Sequence, residues 1–360
     1  WRKEMYIYLL IFAIAIFLTY IAQLAFKEKK NSLGILLSVC VITILSLLAG
    51  VRDNTVGTDV RVYMESSFRL ATMATSFSEY SLSVQSEFLY TLLNYCVAFV
   101  TNNLHIFMFI VEAIIVTLVY MTIYYYRKKI PMWVGLLVFL TLYYNRTFNL
   151  IRQSLALAIT FFAFRYIDQD KKLKYIITII IATLFHSTAF VAGLIYVVKR
   201  ILGKEYKHKV RVYFIIILVC IAIANYGTIL SALIYDYGIL PVKYAIHIPT
   251  GEISIPISET ILKIMLLLPI VIYSKKLNEY NSTNRFLLFI IILDFILLQT
   301  GMLASYVQRI SFYFGFYYIL LLPQIFKVTK NNKYGNIVKL YIVGVLLFYW
   351  YYMFIRLNYG

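Results

Sequence analysis

Residues 6–26 read YIYLLIFAIAIFLTYIAQLAF and residues 33–50 read LGILLSVCVITILSLLAG, and the six polar residues between them read KEKKNS. Neither apolar stretch contains a charged side chain. A helix needs about 20 predominantly apolar residues to cross a bilayer, and only a helix satisfies the backbone polar groups of such a segment internally. The two stretches therefore predict a pair of transmembrane helices at the start of the chain.

The rest of the chain repeats this pattern, with 62% hydrophobic residues, 14% charged residues and a mean hydropathy of +0.80. The predicted spans are 6–26, 33–50, 104–126, 131–145, 148–167, 212–234, 259–274, 286–304, 306–326 and 337–355. Two further apolar segments, 87–101 and 175–198, are ambiguous and favour broken or re-entrant structure. We predict a single integral-membrane domain over residues 1–360. Its fold class is an all-α polytopic bundle of about ten to twelve transmembrane helices with an outward-facing cavity.

The net charge of +18 has its explanation in membrane orientation. The lysines lie in short connections between apolar stretches, where positive charge keeps a loop on the cytoplasmic side, so we expect no nucleic-acid partner. If segments 87–101 and 175–198 do not cross fully, every lysine-rich connection falls inside. The long polar segments 51–86 and 235–258 then lie outside, and we expect the chemistry to face outward.

The three cysteines lie within apolar stretches at no useful spacing, which is typical of core residues rather than of a disulfide or metal framework. They are Cys40, Cys96 and Cys220. The sequence has no His and Cys cluster with metal-ligand spacing and no phosphate-binding loop motif. We predict no metal and no cofactor.

The first outer segment carries Arg52 and Arg61 on either side of Gly57, Thr58 and Asp59. Guanidinium forks suit phosphate and carboxylate oxygens, and Gly57 permits a tight turn that presents the carboxylate. The alternative is a solvated loop in which arginine and aspartate pairs only hold the backbone together.

A second set of polar residues enters a predicted span from the outside at Arg146, Asn149, Arg152 and Gln153. Their spacing of three and four residues places them on one helix face. An anion at a helix N-terminus is stabilised by free N–H groups, so this face predicts a bound phosphate. Arg309 lies in the same way at the outer end of another span. The alternative is that these arginines extend to lipid headgroups.

His186 lies in the middle of segment 175–198. An ionisable side chain in an apolar segment is a functional candidate, since histidine can act as a base or donate to a phosphate oxygen. Hydrogen bonding to a neighbouring helix, as part of the packing, is the alternative.

Four blocks in this order resemble the EpsG family of Wzy-like polysaccharide polymerases. They are the stretch 52–63 with Gly57-Thr58-Asp59, the stretch 150–156 (LIRQSLA), the stretch 182–187 (ATLFHS), and Arg309 before an aromatic run. The resemblance covers most of residues 50–320. It implies a membrane glycosyltransferase of the bacterial cytoplasmic (inner) membrane, with its active site facing the periplasm or the exterior.

The resemblance also implies a reaction. The donor and acceptor would be oligosaccharide repeat units of an O-antigen, capsule or exopolysaccharide, linked to undecaprenyl pyrophosphate, with membrane lipids and a chain-length regulator as further partners. Arg152 and Arg309 are then expected at the donor pyrophosphate. Asp59 or His186 would accept the proton of the attacking hydroxyl, which makes Asp59, His186 and Arg152 the catalytic candidates. The substrate-binding candidates are Arg52, Arg61, Tyr63, Arg146, Gln153 and Arg309.

Two other classes of protein fit a basic, polytopic chain. A lipid-linked oligosaccharide flippase or other transporter needs a basic cavity, although it would be expected to show internal repeats. An integral-membrane acyltransferase that modifies a polysaccharide also combines histidine with arginines, but it would draw on a cytosolic donor.

Overall fold

The computed structural model of the protein describes residues 5–202, 226–242, 257–299 and 305–356, together with residues 214, 218, 222 and 245. This part of the chain is helical and contains no β-strand. The chain forms two compact units, residues 1–190 with 322–360 and residues 191–321.

The helices up to the boundary of the first unit are, in chain order, α1 Met5–Lys27, α2 Asn31–Gly50, α3 Glu65–Met73, α4 Phe77–Ser83, α5 Phe88–Ala98, α6 Leu104–Tyr125, α7 Met132–Leu142, α8 Ile151–Asp168 and α9 Lys172–Phe185. The later helices are α10 Gly193–Leu202, α11 Tyr226–Ser231, α12 Ile257–Ile272, α13 Ser274–Tyr280, α14 Asn284–Leu298, α15 Ser305–Gly315, α16 Tyr318–Val328 and α17 Gly335–Trp350. Short turns of 3-10 helix cover Tyr144–Phe148 and Ser187–Ala192, and turns of π-helix cover Val60–Met64, Ala232–Asp236 and Tyr351–Arg356.

Helix α1 shows how the apolar helices of the first unit pack: one stripe of residues is buried against neighbouring helices. Along α1 the buried residues recur every three or four positions, as at Phe12, Ala15, Thr19 and Ala22. This stripe packs α1 against α2 and α7, and the small side chains allow close approach of neighbouring helices. The remaining apolar side chains of α1 are half-buried or exposed, as expected for a helix with one face toward lipid.

The centre of the first unit is α7, in which ten of the eleven residues are buried. A helix that is apolar on every side belongs in the middle of a bundle. It contacts α1, α6 and α17, while α6 also packs on α2 and α8 and α8 packs on α9. Neighbouring helices therefore pack around both α7 and α8 and hold the connection between them in place.

The second unit has a charged pair in its interior. The Lys263 ammonium group of α12 contacts the Asp294 carboxylate of α14, and both side chains are buried. The Lys263 ammonium also lies 5.3 Å from the ring centroid of Tyr318. Pairing limits the cost of removing the two charges from water.

Among the described residues, five helical segments are long and apolar enough to cross a membrane, or six if a pair bent by 61° is one span. The five are Met5–Lys27, Asn31–Gly50, Leu104–Tyr125, Arg309–Val328 and Gly335–Arg356, and the bent pair is α12 with α13. These segments support a multi-pass membrane protein. The count of ten to twelve spans and the outward-facing cavity stay predictions. The predicted span 212–234 and the predicted outer loop 235–258 fall partly outside the described residues.

The two ambiguous segments have local structures that fit a broken or re-entrant path. Helix α5 has 11 residues, which at 1.5 Å per residue extends about 16 Å and is too short for the hydrocarbon core. Helix α9 ends at Phe185, and His186 has extended backbone. The predicted break in segment 175–198 is therefore present at His186.

The first outer segment, 51–86, is more ordered than a loop. It contains the π-helical turn Val60–Met64, α3 and α4. Before that turn Gly57 has φ +100°, a conformation that side chains with a Cβ rarely adopt. A Cβ at this position would also lie 2.5 Å from the Phe148 carbonyl oxygen. The loop therefore lies directly on the segment that precedes α8.

We expect Gly57→Ala to lower the stability of the protein, by about 1–3 kcal/mol, because both the backbone conformation and the contact with Phe148 oppose a methyl group. Thermal unfolding of the purified protein in detergent measures the change. The matched control is Gly344→Ala, since nothing lies within 4 Å of a Cβ at Gly344 in α17. That variant should be neutral or stabilised by about 0.5–1 kcal/mol. Equal effects of the two substitutions would show that the close approach at Gly57 is wrong.

Candidate active site: the Glu87 cluster

Helices α7 and α8 are joined by a short irregular segment that presents Arg152. Helix α7 ends at Leu142, the 3-10 turn Tyr144–Phe148 follows, and α8 begins at Ile151. Arg152 is therefore in the first turn of α8, where its side chain is half-buried. The positive end of the α8 dipole lies at the same place, so a negative charge there is stabilised by both the helix dipole and the Arg152 guanidinium group.

The carboxylate of Glu87 brings together the two strongest sequence candidates. Its Oε2 accepts a hydrogen bond from Arg152 Nη1 at 2.7 Å, and its Oε1 lies 2.8 Å from His186 Nδ1. The backbone N–H of Ser187 also donates to Oε1, at 3.2 Å. We refer to Glu87, Arg152 and His186 as the Glu87 cluster.

Three separate ends of helices place these side chains. Glu87 is the residue directly before α5 and has extended backbone, so its side chain projects from the start of that helix. His186 directly follows α9, where its N–H still donates to the Ala182 carbonyl at 3.0 Å. Helix α8 packs on α9, and α5 also contacts α9. The cluster thus forms where the N-terminal ends of α5 and α8 meet the C-terminal end of α9.

Electrostatics keep Glu87 ionised. Burial raises the pKa of this carboxyl group, but the hydrogen bond from His186 and the charge of Arg152 outweigh burial and lower the pKa from 4.5 to about 2. An ionised carboxylate accepts hydrogen bonds only, so His186 Nδ1 carries the proton in this contact. A neutral imidazole then has its lone pair on Nε2, which is the nitrogen that can accept a proton from a substrate.

Tyr63 adds an aromatic face to the cluster. It lies on the π-helical turn Val60–Met64, and its ring centroid is 5.8 Å from the Arg152 guanidinium carbon. The residue is 56% exposed. An exposed ring beside a charged group is suited to stacking on a sugar ring.

Asp59 lies immediately before the same π-helical turn and is half-buried. The turn that Asp59 precedes also carries Tyr63, the aromatic residue beside Arg152. Glu87 is an acidic group that contacts Arg152. Thr58 joins this loop to α8, because its N–H donates to Asn149 Oδ1 at 2.6 Å.

The other predicted substrate-binding residues differ in their surroundings. Gln153 is buried in α8, and Arg61 is exposed on the π-helical turn. Arg146 Nη2 donates to the Tyr349 hydroxyl at 2.7 Å. Arg52 is only 8% exposed and donates to the backbone carbonyls of Ala49 and Val56, which favours a structural over a substrate contact. Arg309 is an exposed residue of α15 in the second unit.

Sequence reasoning did not identify Glu87 as a site residue. It is separated from Arg152 by 65 positions and from His186 by 99 positions, so no local spacing connects the three. The available signal was an acidic side chain at the very start of an ambiguous apolar segment. A carboxylate at such a position needs a partner, and both partners had already been selected on other grounds.

These features define a class before any comparison is made: a multi-pass helical membrane protein with a carboxylate, arginine and histidine cluster at the ends of its helices. The model of the EpsG family matches residues 35–359, so the chain belongs to the EpsG family, a family of Wzy-like polysaccharide polymerases. The resemblance noted from the four sequence blocks is confirmed. Searches of curated proteins and of solved structures gave no significant match.

The low pKa of Glu87 predicts a pH dependence of stability. Because the folded-state pKa of about 2 lies below the ordinary value of 4.5, the stabilisation is complete above about pH 4.5 and is lost as the pH falls toward 2. The difference corresponds to roughly 3 kcal/mol. Between about pH 5 and pH 3, the thermal unfolding midpoint in detergent should fall more steeply for the wild type than for Glu87→Gln.

Glu65→Gln, which alters an exposed carboxylate of α3, is the control and should retain the wild-type slope. A Glu87→Gln variant with the full wild-type slope would contradict the pairing.

Proposed function

We propose that this polymerase elongates its polysaccharide from lipid-linked repeat units at the outer leaflet of the bacterial cytoplasmic membrane. The growing chain would be transferred from its undecaprenyl pyrophosphate carrier to a hydroxyl group of the next lipid-linked unit. The bond between the anomeric carbon and the pyrophosphate oxygen breaks, and a bond between that carbon and the acceptor oxygen forms. The acceptor proton goes to a base, and the lipid pyrophosphate departs with the negative charge.

The single observation that carries the proposal is the Glu87 cluster, which combines the two groups that this reaction needs. A departing pyrophosphate is stabilised by a cation that is already in place, and Arg152 is such a cation. The contact with Glu87 uses Nη1 of Arg152. A guanidinium group has five N–H donors, so donors on its other nitrogens are available for phosphate oxygens.

His186 is the proposed base. Its Nδ1 is held by Glu87, so the Nε2 lone pair can accept the proton of the acceptor hydroxyl. The positive charge that then forms on the imidazole is stabilised by the Glu87 carboxylate, which is the role of the carboxylate in other histidine-based sites. Asp59, which lies before the π-helical turn, is the second candidate for this role.

Tyr63 is proposed as a platform for a sugar ring of the donor or acceptor, because its exposed ring lies beside Arg152. Arg61, on the same π-helical turn, and Gln153 in α8 are proposed as further contacts to the lipid pyrophosphates. Their long or fork-shaped side chains suit oxygen-rich ligands. Arg309 stays a contact predicted from the sequence alone.

Replacement of Arg152 should abolish polymer formation. In the native host with its own gene deleted, Arg152→Ala should yield a single-repeat band on a gel of the surface polysaccharide, where the wild-type gene restores a ladder. One lost transition-state donor typically costs about 10²–10³ in rate. Arg152→Lys should also be impaired, since lysine keeps the charge but loses the fork.

The matched control is Arg69→Ala, which removes an exposed arginine of α3 and should leave the ladder unchanged. A normal ladder from Arg152→Ala at equal protein level would overturn the assignment of Arg152. A deletion strain that keeps a normal ladder would overturn the proposed function as a whole.

The choice between the two bases is decided by substitution in the purified protein. In vesicles supplied with lipid-linked repeat units from the deletion strain, His186→Gln should lower the polymerisation rate by about 10²–10⁴, the usual contribution of a general base. Asp59→Asn should lower it by less than about tenfold, which is below the usual contribution of a general base. The reverse order of effects would assign the base to Asp59.

A further inference from the structure

The turn before α8 makes a different tertiary contact at each of six consecutive residues. Tyr144 donates to the Leu45 carbonyl at 2.6 Å, Asn145 accepts from Trp350 Nε1 at 2.8 Å, Arg146 donates to Tyr349 at 2.7 Å, Thr147 donates to Glu112 Oε2 at 2.8 Å, Phe148 lies 4.1 Å below the Arg52 guanidinium, and Asn149 accepts from Thr58 at 2.6 Å. We call residues 144–149 the anchored turn. The partners belong to α2, α6, α17 and the segment that follows α2.

The innermost of these contacts involves an ionisable side chain at membrane depth. Glu112 lies in the middle of α6, one of the spans, and both Glu112 and Thr147 are only 3% exposed. A carboxylate in a transmembrane segment is costly and calls for a functional explanation. Glu112 has no role in the reaction proposed above, so its role must lie elsewhere.

Arg52 lies within electrostatic range of Glu112. Burial lowers the pKa of Arg52, and the nearby Glu112 carboxylate opposes that effect. The guanidinium group covers the Phe148 ring while Nη1 and Nε donate to backbone carbonyls at the end of α2 and in the turn after it. Arg52 and Glu112 thus hold the anchored turn from two sides, through Phe148 and through Thr147.

Arg152 follows the anchored turn by three residues, and its position depends on how that turn is fixed. A displacement of about 1 Å in a reacting constellation can cost a factor of about 10² in rate. Each of the six residues of the anchored turn contacts another part of the first unit. These contacts lie directly before Arg152, the residue that contacts Glu87.

We infer that Arg52, Glu112 and Thr147 are positioning residues, which hold the anchored turn so that Arg152 meets its substrate in the reactive geometry. The inference rests on the proposed function of Arg152. It assigns the buried carboxylate of α6 to the polymerisation reaction without substrate contact. Arg52, an expected substrate ligand from the sequence, becomes an internal partner.

The test is a polymerisation assay with purified protein in vesicles, supplied with lipid-linked repeat units from the deletion strain. Thr147→Val removes the hydroxyl that donates to Glu112 and keeps the side-chain shape. We expect kcat to fall at least tenfold with KM changed less than threefold, in line with misplacement of Arg152. Thr147→Ser restores the donor and should recover activity to within about threefold of the wild type.

Thr141→Val is the matched control. Thr141 is a buried threonine of α7 whose hydroxyl donates only within its own helix, to Leu137 and Val138. It should lose less than about threefold, an effect at the level of ordinary packing changes. An equal loss in Thr141→Val and Thr147→Val would reduce the effect to general destabilisation and overturn the inference.

A double-mutant cycle distinguishes a positioning role of Thr147 toward Arg152 from a role in stability alone. If Thr147 acts through Arg152, then Thr147→Val should add less than about threefold to the loss caused by Arg152→Lys. Multiplication of the two separate losses would overturn the inference. If Thr147→Val cannot be purified as a folded protein, Glu112→Gln takes its place in the cycle, because glutamine still accepts from Thr147 but removes the charge that faces Arg52.

Failure of the inference can be distinguished from failure of the proposed function. Wild-type protein that makes no polymer from lipid-linked repeat units would overturn the proposed function, and the positioning role would fall with it. Wild-type protein that polymerises while Thr147→Val matches it in kcat and KM would overturn the positioning role alone.

Discussion

The structure of the first unit depends on the need to pair charges that the helices carry away from water. Glu87 shows how this requirement organises the site: one carboxylate accepts from Arg152, contacts His186 and accepts from the Ser187 backbone. Burial alone would raise the pKa of Glu87, yet its pKa is lowered, so pairing outweighs desolvation. Three helix ends are fixed relative to one another by this single group.

The same requirement operates a second time, deeper in the unit. Glu112 is buried within a span, where it accepts a hydrogen bond from the Thr147 hydroxyl group of the anchored turn and lies within electrostatic range of Arg52. Loss of that hydroxyl group would leave a buried oxygen without its donor, which costs more than the hydrogen bond contributes. The two charged sites are joined by the short stretch 144–152, so the energetics of the interior bear directly on the cluster.

The sequence allowed part of this arrangement to be predicted. The bounds of α1, α2 and α6 agree with the predicted spans to within two residues, because long apolar runs have few other solutions in a membrane. Arg152 and His186 were selected by their chemistry and by the resemblance to a family, and the structure brings them together. The short helices α3 and α4 were missed within a segment predicted as a loop, since they lack a long apolar run.

Other parts of the site required the three-dimensional contacts. Glu87 has no local pattern that points to Arg152. Arg52 was expected as a substrate ligand, because the buried Glu112 of α6 is 60 positions away in sequence. The number of membrane spans is another feature that length and composition alone do not determine. Helices α7 and α8 are too short or too charged to be recognised by length and composition, and α7 is enclosed by its neighbours on all sides.

The charge balance of the Glu87 cluster suggests why these three groups occur together in a polymerase. With a neutral imidazole, the carboxylate and the guanidinium group cancel. When His186 accepts the acceptor proton, the cluster becomes positive by one charge. In the proposed reaction this happens as the bond to the departing pyrophosphate breaks and negative charge develops on its oxygens. Removal of the acceptor proton thereby strengthens the stabilisation of the leaving group, and one cluster serves both ends of the transfer.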